Sequence, residues 1–386
     1  MIPYGRHYID EDDIAEVVKT LRSGWITQGT KTGEFEEALA DCCGASYAVV
    51  FSSGTAALHG AYAAAGLGSG DEFITTPMTF AATANAGVFL GATPVFADIE
   101  SDTGNIDAAT AASLITNKTK LIAAVDYAGH PFDGKALFEA SVKHGIIIVE
   151  DACHALGAMS MAEDGEWKRT GSCLHCHMAV FSFHPVKSIT TGEGGAVLTN
   201  DKGLYDKLKM FGHHGITKSM DDFQYAPNGP WYYEMQTLGY NYRMTDFQAA
   251  LGISQLKKLN EFIRRRREIA GLYNNAFRDN RYFDIPVERD YAKSAYHLYP
   301  IRLKDQYKDD KRLIFPRLRE KGIGVQCHYI PVTHHPFYRA RGYTAHCPNT
   351  DDFYSRQISI PIFPGMTDED TQFVHDKLIE VFNGSK

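Results

Sequence analysis

Several things are scarce in this chain of 386 residues, and each scarcity excludes a class of protein. Its seven cysteines are odd in number and scattered, which does not describe a disulfide framework, so most are expected to be free thiols. No run of about 18 apolar residues is present, which removes a membrane-spanning helix from the expectations. The opening "MIPYGRHYIDEDDIAEVV" lacks the basic-then-apolar order of a secretory signal, and the chain reads as cytoplasmic. Excess positive charge is missing too: the net charge is −8, which argues against a nucleic-acid binder and for a small partner. No G-x-G-x-x-G stands between an apolar run and a helical one, because the nearest stretch, "GLGSGD", precedes a strand. A nicotinamide enzyme is therefore disfavoured. Nothing resembles an attached DNA-binding unit, which weighs against a cofactor-binding regulator without catalysis.

What the chain does contain is regular alternation. Short apolar runs at 47–52, 72–76, 93–98, 120–126, 145–151, 178–183 and 195–199 are separated by helical segments. Such continuous runs fit strands covered by helices on both faces, so a large, seven-stranded, mostly parallel sheet is expected. After about residue 250 the pattern changes. A charged helix through "QLKKLNEFIRRRREIAGLYNNAF" is followed by "HLYPIRL", "GIGVQCHY" and "QISIPIF", read as three strands of a smaller α+β domain. The expected division is a large domain over 1–250 and a small one over 251–386. "RRRR" at 264–267 is read as a solvated or partner-facing helix edge. "CLHCH" at 173–177 suggests zinc, yet no second ligand pair lies at suitable spacing; it is read as an extended segment whose members face opposite ways, and no metal is expected.

Ligands of open α/β sheets bind beyond the carboxyl ends of the strands, and three groups fall there. In "FSSGTAAL", Gly54 permits close backbone approach and the helix start offers free N–H groups for a phosphate, although Ser-Gly-Thr is also an ordinary capped turn. In "IIIVEDACHALGA", Asp151 ends a very apolar strand; it either caps the next segment or pairs with a protonated ring nitrogen. In "FSFHPVKSITTGEGGAV", Lys187 follows Ser182 by five residues and precedes a glycine-rich stretch. A desolvated lysine is a nucleophile able to form a Schiff base with an aldehyde. Together the three describe a pyridoxal phosphate site.

The segments "GWITQGTKTGEFEEAL", "SSGTAAL", "TTPMTFAATANA", "VEDACHALGA", "FSFHPVKSITTGEGGAV" and "GYNYRMTDFQAALG" occur in an order that resembles the DegT/DnrJ/EryC1/StrS sugar-nucleotide aminotransferases, within the fold-type I pyridoxal phosphate enzymes. The resemblance spans essentially the whole chain. It implies that Lys187 carries the cofactor as a Schiff base, Asp151 faces the pyridine nitrogen and Phe80 stacks on the ring. Gly54, Thr55 and Ser182 would hold the phosphate, and His154 would be a further cofactor contact. Asn241 would reach the cofactor phosphate of a neighbouring subunit, which requires a homodimer with shared active sites. Retention of lysine rather than histidine at 187 implies transamination, with L-glutamate as amino donor.

Within the family, "DYAG", "NRYF", "HLYPI" and "GIGVQCHYIP" look most like the pseudaminic acid branch, whose acceptor is a UDP-linked 4-keto-6-deoxy-N-acetylhexosamine. That likeness puts sugar-nucleotide contacts at Tyr4, at Gly24, Trp25, Ile26 and Thr27, and at Gln326, Cys327, His328 and Tyr329. Two departures point elsewhere. The segment 224–235 is longer than that branch leads one to expect, and "PNTDDFYSRQISIPIFPGMTDED" also resembles the branch that makes UDP-4-amino-4-deoxy-L-arabinose.

Overall fold

The structure, a computed structural model, describes residues 1–384. Each of the seven apolar runs forms a strand of one sheet: β1 Tyr47–Phe51, β2 Glu72–Thr75, β3 Thr93–Phe96, β4 Thr119–Val125, β5 Ile147–Asp151, β6 Met178–Ser182 and β7 Gly195–Thr199. Their spatial order is β1-β7-β6-β5-β4-β2-β3. Only β7 runs against its neighbours, β1 and β6.

Alternate residues of each strand enter different cores. Val49, Phe51, Leu121, Ala123, Val149, Val180 and Val197 pack beneath the helix Gly54–Ala64. The residues between them, such as Ile122, Ile148 and Ala179, enter a core on the other face. This period of two fixes the chemistry at the end of β5: Asp151 continues the Val149 side, whereas Glu150 continues the Ile148 side. Adjacent carboxylates thus serve opposite faces.

The sheet's helices begin where the sequence provides caps. Ser53 accepts a hydrogen bond from Ala56 N and starts Gly54–Ala64. Lys31–Cys43 is capped from afar, since the Asp246 carboxylate accepts from Gly29 N at 2.7 Å, Lys31 N at 3.0 Å and Thr32 N at 3.3 Å.

The later part of the chain builds a second core around β8 Phe283–Asp284, β9 Tyr299–Leu303 and β10 Gln357–Ile360, with the helices Leu259–Phe277 and Asp368–Asn383 against it. Four expectations need correction here. "GIGVQCHY" is not a strand: it makes only single bridges, Ile323 to Ile2 and Gln326 to Ser359, and the third strand is the two-residue β8. The long charged helix is two helices, Asp246–Lys257 and Leu259–Phe277, parted at Lys258. The arginine run is not simply a solvated edge. Arg266 is fully buried because it shares the inward stripe of Phe262, Ile269, Tyr273 and Phe277, and it donates to Tyr296 O, His297 O and Ile362 O. Finally, residues 173–177 form a bend rather than an extended segment, with Cys173 at φ +57°.

Candidate active site

A cavity of about 360 Å³ opens beyond the ends of β5 and β6, where the sheet core gives way to loops. Its wall includes Gly54, Thr55, Phe80, Asp151, His154, Ser182 and Lys187, together with Tyr4, His328 and Tyr329 from the two ends of the chain. Ten of the expected residues therefore meet.

One end of the cavity is an anion cradle. The helix Gly54–Ala64 starts there, and the Gly54 and Thr55 N–H groups lie at its first turn, where no helical acceptor exists. A Cβ on Gly54 would stand 2.8 Å from Ser182 Cβ, so only glycine lets this backbone lie against the serine. Ser182 in turn accepts from His184 N at 3.4 Å.

Opposite the cradle, Asp151 is held rigidly. Thr83 Oγ1 donates to its Oδ2 at 2.6 Å, Cys153 N donates to Oδ1 at 3.3 Å, and Thr79 Oγ1 lies 2.7 Å from Thr83 Oγ1. The carboxylate is 4% exposed, so its remaining interactions must lie within the site.

Lys187 lies half-buried on the cavity wall and its Nζ forms no hydrogen bond or ion pair among the described residues. Burial lowers its pKa from that of an ordinary lysine, while Cys153 and Asp151 oppose the shift. That favours a neutral, nucleophilic amine.

Aromatic and imidazole rings close the rest. Phe80 is 61% exposed and its ring centroid lies 5.9 Å from that of Tyr329. His154 Nε2 is 2.8 Å from Tyr329 Oη, its ring lies 4.4 Å from His297, and its buried Nδ1 has no partner among the described residues. His328 Nδ1 pairs with Ser359 Oγ at 2.9 Å, and the His328 ring lies 5.1 Å from Tyr4. Burial holds His154 and His297 far below the usual histidine range and brings His328 down to about 3, with the Lys187 charge acting in the same direction. These three rings are thereby held in the neutral form.

Other expected residues stand apart from this cavity. Gly24, Trp25, Ile26 and Thr27 lie in the loop before Lys31–Cys43, held by the Asp246 N to Ile26 O bond at 2.9 Å, with Trp25 66% exposed. Asn241 is exposed and bridges to His213. Gln326 is exposed, and Cys327 turns its thiol to Gln357 O at 3.5 Å. Thr79, Thr83, Cys153 and His297 were not singled out from the sequence. Thr79 and Thr83, four apart at the start of an alanine-rich helix, were the available signal; His297 carried none, because it arrives from the second core.

The sequence profile of the DegT/DnrJ/EryC1/StrS aminotransferase family matches residues 7–379. The chain belongs to that family. A transaminase of Campylobacter jejuni named for UDP-4-amino-4,6-dideoxy-N-acetyl-beta-L-altrosamine is 40% identical over 100% of this chain and 99% of its own length. The spore coat polysaccharide biosynthesis protein SpsC of Bacillus subtilis is 38% identical over 100% of this chain and 98% of its own. Among solved structures, the aminotransferase PseC of Helicobacter pylori, described as involved in pseudoaminic acid biosynthesis, superposes with a TM-score of 0.91 at 37% identity, covering 99% of each chain. The fold is thus the fold-type I aminotransferase architecture, and the family's cofactor is pyridoxal phosphate. The site fits that cofactor: it combines a backbone cradle that a Cβ would fill, a fixed carboxylate, an amine without a partner and a buried, unpartnered His154 Nδ1.

Proposed function

We propose that this enzyme transfers an amino group from L-glutamate to C4 of UDP-2-acetamido-2,6-dideoxy-β-L-arabino-hexos-4-ulose, giving the 4-amino sugar nucleotide of pseudaminic acid synthesis. The observation that carries the chemistry is Lys187, a partly buried amine without a partner, on the same cavity wall as the fixed Asp151 carboxylate. The choice of sugar is supported by full-length likeness to transaminases named for that product.

Pyridoxal phosphate supplies a carbonyl carbon for the amine and a ring that accepts the electron pair released when a C–H bond breaks. Gly54 N, Thr55 N and the Ser182 hydroxyl would hold the phosphate at the helix start, and Phe80 would form one wall for the ring. Asp151, oriented by Thr83 and Cys153 N, would face the ring nitrogen and favour its protonated form. Lys187 Nζ removes a proton from the donor's α-carbon and later delivers one to C4 of the sugar from a single face, which sets the product's configuration. Tyr4, His328 and Tyr329 bound the sugar side of the cavity.

The same reading includes a homodimer. Met220, Tyr225, Trp231, Tyr233, Met235 and Leu238 are all more than half exposed along one stretch of chain, an apolar display that a second copy would cover. Asn241 follows that stretch and lies exposed outside its own chain's cavity, which supports the reading that it serves a neighbour's phosphate. Mixing inactive Lys187→Ala and Asn241→Ala chains tests this. Random re-pairing makes half of the dimers hybrid, each with one intact pocket of two, so about one quarter of the pockets should recover. No recovery after verified exchange would assign Asn241 to its own chain. The seven free cysteines support a reducing compartment, the cytoplasm, as the working environment.

The substrate test compares the L-arabino hexosulose with its D-xylo epimer and with the UDP-4-keto pentose, glutamate being the donor. A site that hydrogen-bonds the N-acetyl group leaves polar groups unpaired without it, at about 1–3 kcal/mol each, or roughly ten- to a hundredfold in kcat/KM. Equal amination of the pentose would move the assignment to 4-amino-4-deoxy-L-arabinose synthesis.

A further inference from the structure

The strand β10 is buried on both faces, yet polar residues alternate with apolar ones along it. Ile358 and Ile360 enter the second core, whereas Gln357 and Ser359, 1% and 0% exposed, face the other way, where each polar atom needs a hydrogen-bond partner. They find each other and His328.

The direction of every bond in this cluster follows from one backbone donor. The His328 N–H can only donate, and it meets Gln357 Oε1 at 3.0 Å, so that atom is the amide oxygen and the amide nitrogen faces Ser359. Gln357 Nε2 in turn can only donate, which makes Ser359 Oγ its acceptor at 2.5 Å. The Ser359 hydroxyl hydrogen then has one acceptor among the described residues, His328 Nδ1 at 2.9 Å. Turned elsewhere, it would be left unpaired in the core. Nδ1 is therefore unprotonated, the ring is neutral, and its proton sits on Nε2. Tyr127 Oη donates to His328 O and anchors the same residue from its other side.

His328 lines the cofactor cavity together with Lys187, Tyr4 and Tyr329, whereas Gln357 and Ser359 stand behind it. Its Nε2 has no partner among the described residues, so this N–H is the polar group that the cluster leaves for a ligand. Such a group needs an acceptor. A C4 carbonyl oxygen is one that can never donate, and it gains negative charge as an amine adds to C4, so the bond strengthens as the reaction proceeds. A carboxylate of the amino donor is better met by a cation, which this ring cannot become while Nδ1 accepts from Ser359.

We propose that Gln357 and Ser359 are positioning residues that fix His328 as a neutral Nε2–H donor to the C4 carbonyl oxygen of the acceptor sugar. This rests on the sugar amination assigned above to Lys187. The ring lends a hydrogen bond and keeps its proton, since losing it would leave an imidazolate. Proton transfer stays with the lysine.

The test uses the holoenzyme, measures single-turnover rates of the glutamate half and the sugar half separately, and reads the tautomer from the imidazole nitrogen NMR shifts of His328, assigned by their loss in His328 variants. In the native enzyme Nδ1 should show the shift of an unprotonated nitrogen and Nε2 that of a protonated one. Ser359→Ala should move both towards the average of exchanging tautomers, and should slow the sugar half about tenfold with little effect on the glutamate half. His328→Phe should slow the sugar half by about 10²–10³-fold, the loss expected for one donor to a developing oxyanion. His328→Gln, whose amide nitrogen can occupy the place of Nε2, should recover much of that loss, and His328→Asn, whose amide reaches only the place of Nδ1, should not. The native shifts require no variant of Ser359 to fold. Any of the three keto sugars named above that the native enzyme aminates serves as acceptor; amination of none would sink the proposed function, while the tautomer is still read without a sugar. A proton on Nδ1 in the native enzyme, equal slowing of both halves in His328→Phe, or identical rates for the Gln and Asn variants would overturn the proposal.

Discussion

Replacing Lys187 with alanine should reduce turnover by more than about 10⁴-fold while pyridoxal phosphate still binds, now without a covalent link. Proton transfer by a positioned side chain contributes about 10²–10⁴-fold on its own, and the same amine is the point of attachment. The cradle of Gly54, Thr55 and Ser182 is untouched by the change, so affinity for the phosphate persists. With the native chain, borohydride should fix the cofactor to the Lys187 peptide; with the variant, denaturation should release it. Near-native steady-state rates in the variant would remove Lys187 from the mechanism.

The same lysine has a measurable effect on stability. Burial lowers its folded pKa from 10.5, so the unfolded chain holds the proton more tightly. Between that lowered value and 10.5 the Lys187 contribution to stability rises with pH, and below the window the cost of a buried ammonium remains in full. Cofactor-free Lys187→Met should accordingly melt at a higher temperature than cofactor-free native enzyme at neutral pH. The difference should shrink as pH approaches 10.5.

The large sheet was legible because its strands are covered on both faces, which writes each as an uninterrupted apolar run. The second core was less so. Phe283–Asp284 is too short to show a period, whereas "GIGVQCHY" has strand-like residues yet finds only single-residue partners. Strand identity there depends on what lies alongside, which local pattern does not record. Arg266 illustrates the opposite difficulty. Its charge suggests solvent, but its helical phase with Phe262 and Tyr273 directs it inward, where three carbonyl oxygens lie within hydrogen-bonding reach of its NH1.

In the site, the residues that meet in the cavity were readable because they lie near strand ends or helix starts, where ligand chemistry is expected. Their supports were not. Thr83 reads as an ordinary threonine in an alanine-rich helix until β5 delivers Asp151 to its hydroxyl, 68 residues away in sequence. His154 and His297 are likewise neutral only because the fold buries them against each other and near Lys187.

That support predicts the second large effect. Asp151→Asn keeps the shape of the side chain and its bond from Thr83 but removes the charge that would hold the ring nitrogen protonated. Loss of a preorganised electrostatic partner of this kind costs about 10²–10³-fold in kcat. KM should change far less, since Asp151 takes no part in the phosphate cradle. Thr83→Val should be milder, because Cys153 N still donates to Oδ1. One buried hydrogen bond to a carboxylate is worth about 1.5–3 kcal/mol, or roughly ten- to over a hundredfold if all of it appears in the rate. The two changes act through one carboxylate, so the double variant should be barely slower than Asp151→Asn alone. Fully multiplicative losses would mean that Thr83 acts on the reaction by a route other than Asp151, and an undiminished kcat in Asp151→Asn would mean that the carboxylate at the end of β5 is there only to cap the segment that follows it.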